Sequence, residues 1–226
     1  MKSKILVATH KQYEFPGNEL YQPIQVGSAL SLNDFGYLRD DSGKNISSKN
    51  KSYSELTALY WAWKNGYFEE SRYCGLVHYR RYFKGKLPFG KTSILSPEEI
   101  TAYLDAYDII LPKKRNYYIE NVRSHYEHAH YKKDLDILEA LIDEYTPEYS
   151  IAFKQTMDAT TLHLYNMFVM KTDDFNRYME WLFTLMALLE EKIDISDYDD
   201  YQKRVFGFLS ERLFNVWLIK NHLQSK

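Results

Sequence analysis

The sequence is poor in cysteine. Its single cysteine, Cys74, excludes an internal disulfide and fits a reducing compartment. Because Cys74 lies in an apolar run, we expect it to be a buried small hydrophobic residue rather than a nucleophile.

Long apolar runs are also missing. The N-terminus has only four apolar residues in a row, Ile5 to Ala8, which is too short for a signal peptide. No run approaches the roughly 20 apolar residues of a membrane-spanning helix. We therefore expect a cytoplasmic protein, a location compatible with peripheral association at the inner face of the cell membrane.

Glycine-rich phosphate loops and a basic excess are absent as well. Neither G-x-G-x-x-G nor G-x-x-x-x-G-K-S/T occurs, so any nucleotide must be held by side chains and individual turns. The 29 basic and 31 acidic residues give a net charge of −2, which argues against nucleic acid as a partner.

The residues that are abundant are apolar and aromatic. An apolar content of 45% in 226 residues is enough for the core of one globular domain. Aromatic residues make up 16%, including 21 Tyr. This surplus suits surfaces that meet sugars or bases, and it equally suits the compositional bias of an AT-rich bacterial genome.

Strand and helix patterns alternate along the chain. Apolar runs predict strands at 5–8, 73–79, 107–111 and 166–170, and periodicity with capping signals predicts helices beginning near 52, 96, 116, 146, 172 and 210. Residues 33–51 have the composition of a loop. The alternation predicts an α/β fold with a mainly parallel sheet covered by helices on both faces.

Polar groups follow the first strand, where Thr9, His10 and Lys11 stand at its C-terminal end. In open α/β sheets this edge is where ligands bind. We expect these three residues to line a ligand pocket.

The strongest pattern is His78-Tyr79-Arg80-Arg81 at the end of the second strand. Alternation along a strand predicts that His78 and Arg80 share one face and that Tyr79 and Arg81 share the other. Two guanidinium groups at a strand end suit a diphosphate, which arginine binds in a bidentate way. The alternative is structural, with one arginine paired to a core carboxylate and the other solvated.

Lys49 and Asn50 precede a predicted helix N-terminus, a position that favours anions. Ser52 and Glu55 match a capping box, and we expect them only to cap that helix.

Near the C-terminus, Glu211 and Arg212 are placed by the sequence in the first turn of the final helix. Glu211 has the position of a general base, although spacing alone favours a carboxylate that complements the helix dipole beside a salt-bridging Arg212.

Three histidines, His125, His128 and His130, lie within six residues. Their spacing is less regular than that of zinc motifs. A plain surface helix and a substrate contact, through His130 beside Asp134, are the better interpretations.

Several segments together resemble a known family. These are ATHK at residues 8–11, YSELTALYWAWKN at 53–65, HYRRYF at 78–83 and LSERL at 209–213, supported by NMFVMK at 166–171. They resemble a bacterial family of capsular and exopolysaccharide glycosyltransferases that is often described only as a domain of unknown function. The resemblance spans nearly the whole chain.

The resemblance implies a glycosyltransferase-A-like, Rossmann-type fold with a helix-rich C-terminal part. It implies one domain, 1–226, with a donor half to about 115 and an acceptor half from about 116. The implied donor is a UDP-hexose, and the hexose it carries is galactose or galactofuranose. The implied acceptor is a lipid-linked sugar or an oligosaccharide. The resemblance leaves the oligomeric state open.

In that fold an Asp-x-Asp strand end normally binds a metal, whereas this chain has His78-Tyr79-Arg80 at the matching position. The resemblance therefore implies transfer that needs no cofactor, with manganese as the alternative. The resemblance also implies that Glu211 is the general base of an inverting displacement. This replaces the interpretation from spacing alone, in which Glu211 only complements the helix dipole.

The residue patterns and the resemblance together give the predicted binding residues. The residues predicted to bind the donor or its diphosphate are Thr9, His10, Lys11, Lys49, Asn50, His78, Tyr79, Arg80 and Arg81. Those predicted to bind the acceptor or the sugar are His130, Asn166 and Arg212. The alternatives are a retaining or metal-assisted transferase and a non-catalytic sugar-binding protein of a polysaccharide assembly complex.

Overall fold

A computed structural model describes residues 2–226, and its centre is one six-stranded sheet in the order β3-β2-β1-β4-β10-β7. The strands are β1 (Ser3–Thr9), β2 (Tyr21–Gln25), β3 (Leu38–Arg39), β4 (Tyr73–His78), β5 (Lys84–Phe89), β6 (Thr92–Ile94), β7 (Ile109–Ile110), β8 (Arg115–Asn116), β9 (Thr161–Leu162) and β10 (Phe168–Lys171). Strands β5 and β6 form a hairpin, and β8 pairs with β9.

The four strands β3, β2, β1 and β4 are parallel, and β10 and β7 add an antiparallel edge. The prediction of a mainly parallel α/β sheet is confirmed. Since β1 and β4 run side by side in the same direction, their carboxyl ends meet at one edge of the sheet. The predicted ligand residues that follow these two strands therefore lie at one edge.

Helices cover the sheet. They are α1 (Asn50–Tyr53), α2 (Leu56–Lys64), α3 (Pro97–Ala106), α4 (Val122–Ala129), α5 (Lys132–Tyr145), α6 (Ser150–Asp158), α7 (Thr172–Lys192) and α8 (Val205–Lys220). Helix α3 begins where the sequence predicts. A capping box stabilises its start, since the Ser96 side chain accepts from the Glu99 N–H and the Glu99 carboxylate accepts from the Ser96 N–H. No described helix is long and apolar enough to cross a membrane.

Alternating side chains of the central strands pack into two apolar layers. Leu6, Leu76 and Phe168 face the larger layer, beneath α2, α7 and α8. Val7 and Val77 face the smaller layer, beneath α3 and the β5–β6 hairpin. Because both faces of the sheet are covered, side chains that point to either face are buried, and the middle of each central strand is apolar.

Glycine at position 75 lets β10 approach β4 closely. A Cβ atom on Gly75 would lie 2.5 Å from the main-chain oxygen of Phe168 and 3.0 Å from a Val169 methyl group. Only a residue without a side chain fits this contact, which joins the antiparallel edge to the parallel strands.

Two of the differences from the sequence prediction concern residues 33–51 and the final helix. Residues 33–51 are not a plain loop, since they contain β3 and a 3-10 helix at Ser47–Lys49. The final helix begins at Val205 rather than near Ser210, so Glu211 and Arg212 lie in its second turn and not in its first.

Candidate active site

A cavity of about 600 Å³ opens at the carboxyl ends of β1 and β4. Its walls come from these strand ends, from the α1–α2 junction, from the segment before β10 and from α8. The cavity is lined by Ala8, Thr9, His10, Val26, Asn50, Lys51, Ser54, Glu55, His78, Tyr79, Arg80, Arg81, Tyr165, Arg204, Gly207, Phe208 and Glu211. The structure thus brings most of the predicted donor residues together.

The end of β4 is a tight turn. His78 and Arg81 exchange main-chain hydrogen bonds of 3.2 and 2.8 Å, and the Tyr79 N–H donates to the Ala8 carbonyl at 3.1 Å. The strand therefore stops at His78, and the predicted alternation of faces through residue 81 is wrong. All four residues of the turn, His78 to Arg81, line the same cavity.

Aromatic rings hold the two arginines of this turn. The Arg80 guanidinium lies 4.8 Å from the centre of the Tyr79 ring, and the Arg81 guanidinium lies 4.5 Å from the centre of the Tyr165 ring. Within residues 2–226 neither arginine has a carboxylate partner, and both are exposed. Their N–H donors are therefore available to an anion.

The end of β1 supplies the adjacent wall. Thr9 is buried, and its hydroxyl donates to the Lys11 carbonyl at 2.6 Å, so it shapes the turn. His10 packs edge-on against Tyr79, and burial, helped by Lys11 and Arg80, lowers the pKa of its imidazole. Lys11 does not line the cavity, and its ammonium lies 5.3 Å from the centre of the Tyr79 ring.

The predicted capping box at Ser52 and Glu55 is wrong, because these residues lie at a junction between two helices, α1 and α2. Ser54 breaks the helix with a φ of 52°, and neither Ser52 nor Glu55 caps α2. The Asn50 amide closes the break instead, donating to the Ser54 carbonyl at 2.7 Å and to the Thr57 hydroxyl at 3.0 Å. The junction thus places Asn50, Ser54 and Glu55 in the cavity wall.

Lys49 is not brought to the cavity. Its ammonium donates to Glu190 Oε2 at 2.7 Å, and the residue lines a separate groove between α2 and α7. Lys51, which the sequence did not single out, lines the cavity in its place.

Glu211 projects from α8 into the cavity, with its side chain only 19% exposed. The Tyr165 N–H donates to Glu211 Oε1 at 2.7 Å, and Arg212 Nη1 lies 3.2 Å from Oε2. Burial raises the pKa of this carboxyl, while Arg212 and the Tyr165 N–H lower it and Glu55 raises it further. The result is a carboxylate held in one orientation that takes up a proton more readily than an ordinary glutamate.

Two left-handed residues precede β10, Tyr165 with a φ of 75° and Asn166 with a φ of 48°. This conformation costs free energy in residues other than glycine, so the contacts around it must hold it in place. The Tyr165 carbonyl accepts from His78 Nε2 at 2.8 Å, and Asn166 Nδ2 donates to Glu55 Oε1 at 2.7 Å. The pair thereby links β4, α2 and α8 at the cavity.

The three residues predicted to bind the acceptor or the sugar lie behind the cavity wall. Asn166 is 1% exposed, and Arg212 is 3% exposed with its guanidinium 5.0 Å from the centre of the Tyr126 ring. His130 stacks on Phe208 at 4.1 Å and contacts Gln202, not Asp134, whose carboxylate accepts from Tyr198. The pairing of His130 with Asp134 is therefore wrong, and a sugar-binding role for these residues stays a prediction.

Burial dominates the electrostatics of His130. It lowers the pKa of the imidazole to about 4, with the neighbouring Arg212 acting in the same direction and the Gln202 contact opposing it. His130 is therefore neutral near pH 7. Among the described residues, 2–226, no group of three or more His, Cys, Asp or Glu side chains is arranged to hold a metal ion.

Sequence reasoning missed four cavity residues of clear chemical character, and these are Lys51, Glu55, Tyr165 and Arg204. Glu55 matches a capping box in the sequence, and this match gave it a structural role instead of a place in the cavity. Arg204 precedes α8, and a correct start of that helix at Val205 would have placed it beside Phe208 and Glu211. Tyr165 gave no signal, because its role depends on a left-handed main chain.

Comparison with known proteins gives two matches. The family model described as "Domain of unknown function (DUF4422)" matches residues 4–222. Among solved structures, the WbbM bifunctional glycosyltransferase in its apo form is 36% identical to this chain, with a TM-score of 0.89. The match covers 100% of this chain and 44% of the WbbM chain, so this chain spans less than half the length of WbbM. The comparison with curated proteins gives no significant match.

Proposed function

Since the chain belongs to the DUF4422 family, we propose that it is a glycosyltransferase that moves a hexose from a UDP-sugar to a growing capsular or exopolysaccharide acceptor. The similarity to WbbM over the whole of this chain supports the transferase class. Because WbbM is bifunctional and more than twice as long, we assign a single transfer reaction to this chain. The proposed acceptor is a lipid-linked sugar or an oligosaccharide, and the hexose is galactose or galactofuranose.

The observation that carries the proposal is the charge of the cavity. Four basic side chains line it, and in the described part of the chain none of them has an ion-pair partner; they are Lys51, Arg80, Arg81 and Arg204. A cluster of unpaired cations at the carboxyl ends of parallel strands suits a diphosphate. A neutral oligosaccharide alone would not need it.

The proposed chemistry is a direct displacement. Glu211 takes the proton of the acceptor hydroxyl, which attacks the anomeric carbon as UDP leaves with inversion. A raised pKa improves Glu211 as a base at neutral pH, and its contacts with Tyr165 and Arg212 fix its direction. Arg80 and Arg81 offset the charge that grows on the departing diphosphate, which a divalent cation does in other enzymes.

Substitutions at both ends of the reaction test this assignment. We expect Glu211→Gln to lower transfer at least 100-fold and to leave UDP affinity within about twofold, because only the base is removed. We expect Arg80→Ala to weaken UDP binding about tenfold, as the loss of a charged hydrogen bond implies. Arg177→Ala, which removes a surface arginine on α7, is the matched control and should change neither quantity.

The measurements are calorimetry with UDP and a thermal-shift panel of nucleotide sugars with manganese or EDTA. Full transfer by Glu211→Gln would exclude it as the base. Loss of activity in EDTA and its return with manganese would replace the metal-independent mechanism, and an anomeric configuration equal to that of the donor would replace inversion. Oligosaccharide binding without UDP binding would favour a non-catalytic sugar-binding protein.

A further inference from the structure

Glu55 is a carboxylate in the cavity that the mechanism above does not use. Its Oε1 accepts from Asn166 Nδ2 at 2.7 Å. Within residues 2–226 its Oε2 has no hydrogen-bond or ion-pair partner, although the cavity wall that contains Glu55 also contains four basic side chains. One carboxylate oxygen of this half-buried residue is thus left without a protein donor.

The direction of Glu55 is fixed from behind. Asn166 is 1% exposed, and its Nδ2 donates both to Glu55 and to the Ser210 hydroxyl at 2.9 Å. That hydroxyl donates in turn to the Gly207 carbonyl at 2.7 Å, so the amide cannot turn without losing two bonds. With Oε1 held by Asn166 on the protein side, Oε2 remains for the cavity.

The charge of Glu55 indicates what it binds. An ionised carboxylate only accepts hydrogen bonds, and it repels phosphate. Glu55 is also close enough to Glu211 to raise the pKa of that carboxyl, so it lies near the proposed base. A ligand that places anionic groups on the arginines and neutral O–H donors on Glu55 would satisfy the whole cavity.

We propose that Glu55 Oε2 accepts hydrogen bonds from hydroxyl groups of a hexose ring and thereby selects the sugar. The proposal rests on the proposed transferase function and deepens it. The shared chemistry is a ring that carries vicinal hydroxyls, and its source is either the hexosyl group of the donor or the terminal sugar of the acceptor. Asn166 acts as the positioning residue for this carboxylate rather than as a sugar ligand.

The test compares Glu55→Ala and Glu55→Gln with wild type, and Glu70→Gln serves as the matched control because Glu70 is exposed and outside the cavity. Calorimetry with UDP, UDP-galactose and UDP-glucose separates the nucleotide from the hexose. Saturation-transfer NMR with free galactose and glucose reports binding of the hexose ring without the nucleotide. The KM and kcat for the acceptor report whether Glu55 binds the terminal sugar of the acceptor. Circular dichroism confirms that each variant is folded.

If the donor hexose is the ligand, Glu55→Ala keeps UDP affinity within about twofold and binds the UDP-hexose about 10- to 100-fold more weakly, as loss of a charged hydrogen bond implies. Glu55→Gln, which keeps one acceptor oxygen, shows a smaller loss. If the acceptor sugar is the ligand, Glu55→Ala raises the KM for the acceptor about 10- to 100-fold with little change in kcat.

Unchanged UDP-hexose affinity together with unchanged acceptor KM in Glu55→Ala would overturn the proposal. An equal loss of UDP and UDP-hexose affinity would also overturn it, since Glu55 would then only support the cavity. If wild type binds no nucleotide, the proposed function fails and the free-hexose spectra decide. A hexose signal that Glu55→Ala abolishes would sustain the hydroxyl site, and a signal that persists, or one absent from wild type, would exclude it.

Discussion

Glu211 and Arg212 are neighbours in sequence, yet only the first of them faces the cavity. Glu211 lines it, while Arg212 is 3% exposed and donates to the Phe208 carbonyl at 2.9 Å as well as to Glu211. Burial raises the pKa of Glu211, and the positive charge of Arg212 is the first of the influences that lower it. The pH at which Glu211 becomes a base therefore depends on Arg212.

This balance predicts a change in pH dependence for Arg212→Gln. Without the cation the protonated form of Glu211 gains stability, so its pKa moves further above the ordinary value of 4.5. Because only the deprotonated form accepts a proton, the acid limb of kcat/KM should move to higher pH, and the rate at pH 6 should fall relative to the rate at pH 8.

A pH profile of kcat/KM measures this effect. Arg212→Lys keeps the charge and should keep the limb close to its wild-type position, which separates electrostatics from lost packing. Arg123→Gln removes a half-buried arginine outside the cavity, which pairs with Glu127, Asp136 and Glu139, and it is the matched control. An acid limb that does not move in Arg212→Gln would show that Arg212 has no influence on the base.

Strand β10 approaches β4 closely at Gly75. A methyl group at position 75 would meet the main-chain oxygen of Phe168 at 2.5 Å, and main chain cannot move aside as a flexible side chain can. We expect Gly75→Ala to lower the free energy of unfolding by about 1–3 kcal/mol, as overpacking of a core does. Since β10 follows directly on Tyr165 and Asn166, transfer activity should fall as well.

Chemical denaturation measures the change, and Gly17→Ala is the matched control because no atom lies within 4 Å of the position of its Cβ atom. Gly17→Ala should leave the stability within about 0.5 kcal/mol of wild type. If Gly75→Ala and Gly17→Ala have the same free energy of unfolding, the contact between β4 and β10 at Gly75 can widen without cost, and the prediction is wrong.

Elements with strong local signals could be predicted from the sequence. The helix predicted to begin near residue 172 begins at Thr172 in the structure, because its apolar period and its acidic first turn both act locally. Strand β2 was missed, since Pro23 stands in the middle of it and a strand pattern with proline is unfavourable. The α1–α2 junction was misjudged because Asn166, more than 100 residues away, binds Glu55.

The same distinction applies to the candidate site. The strand-end residues Thr9, His10 and His78 to Arg81 could be placed in one pocket, since parallel strands bring their carboxyl ends together. The direction of Lys49 and the burial of Arg212 depend on tertiary partners, and no pattern in the sequence reports these.

At the scale of the molecule, charge is distributed unevenly. The chain has a net charge of −2, yet four basic residues without ion pairs line one cavity in the described structure. Attraction between this cavity and a diphosphate is partly exposed to solvent and is therefore screened by salt.

We expect UDP affinity to fall on the order of tenfold between about 0.05 and 0.5 M NaCl, where the screening length shortens several-fold. Calorimetry across a salt series measures the slope, and uridine, which lacks the diphosphate, is the control ligand whose affinity should stay nearly constant. A UDP affinity that is independent of salt would indicate that the cavity does not bind the diphosphate through these cations.

The position of β10 in the sheet also has a consequence for synthesis of the chain. Leu76 of β4 pairs with Phe168, about 90 residues later in the sequence, and in the described residues β7 joins the sheet through β10 alone. While the ribosome is still making the intervening helices, one edge of β4 has no neighbour, and such an edge invites association with other nascent chains. Folding of the sheet must wait for this distant segment, which makes the search for native contacts slow.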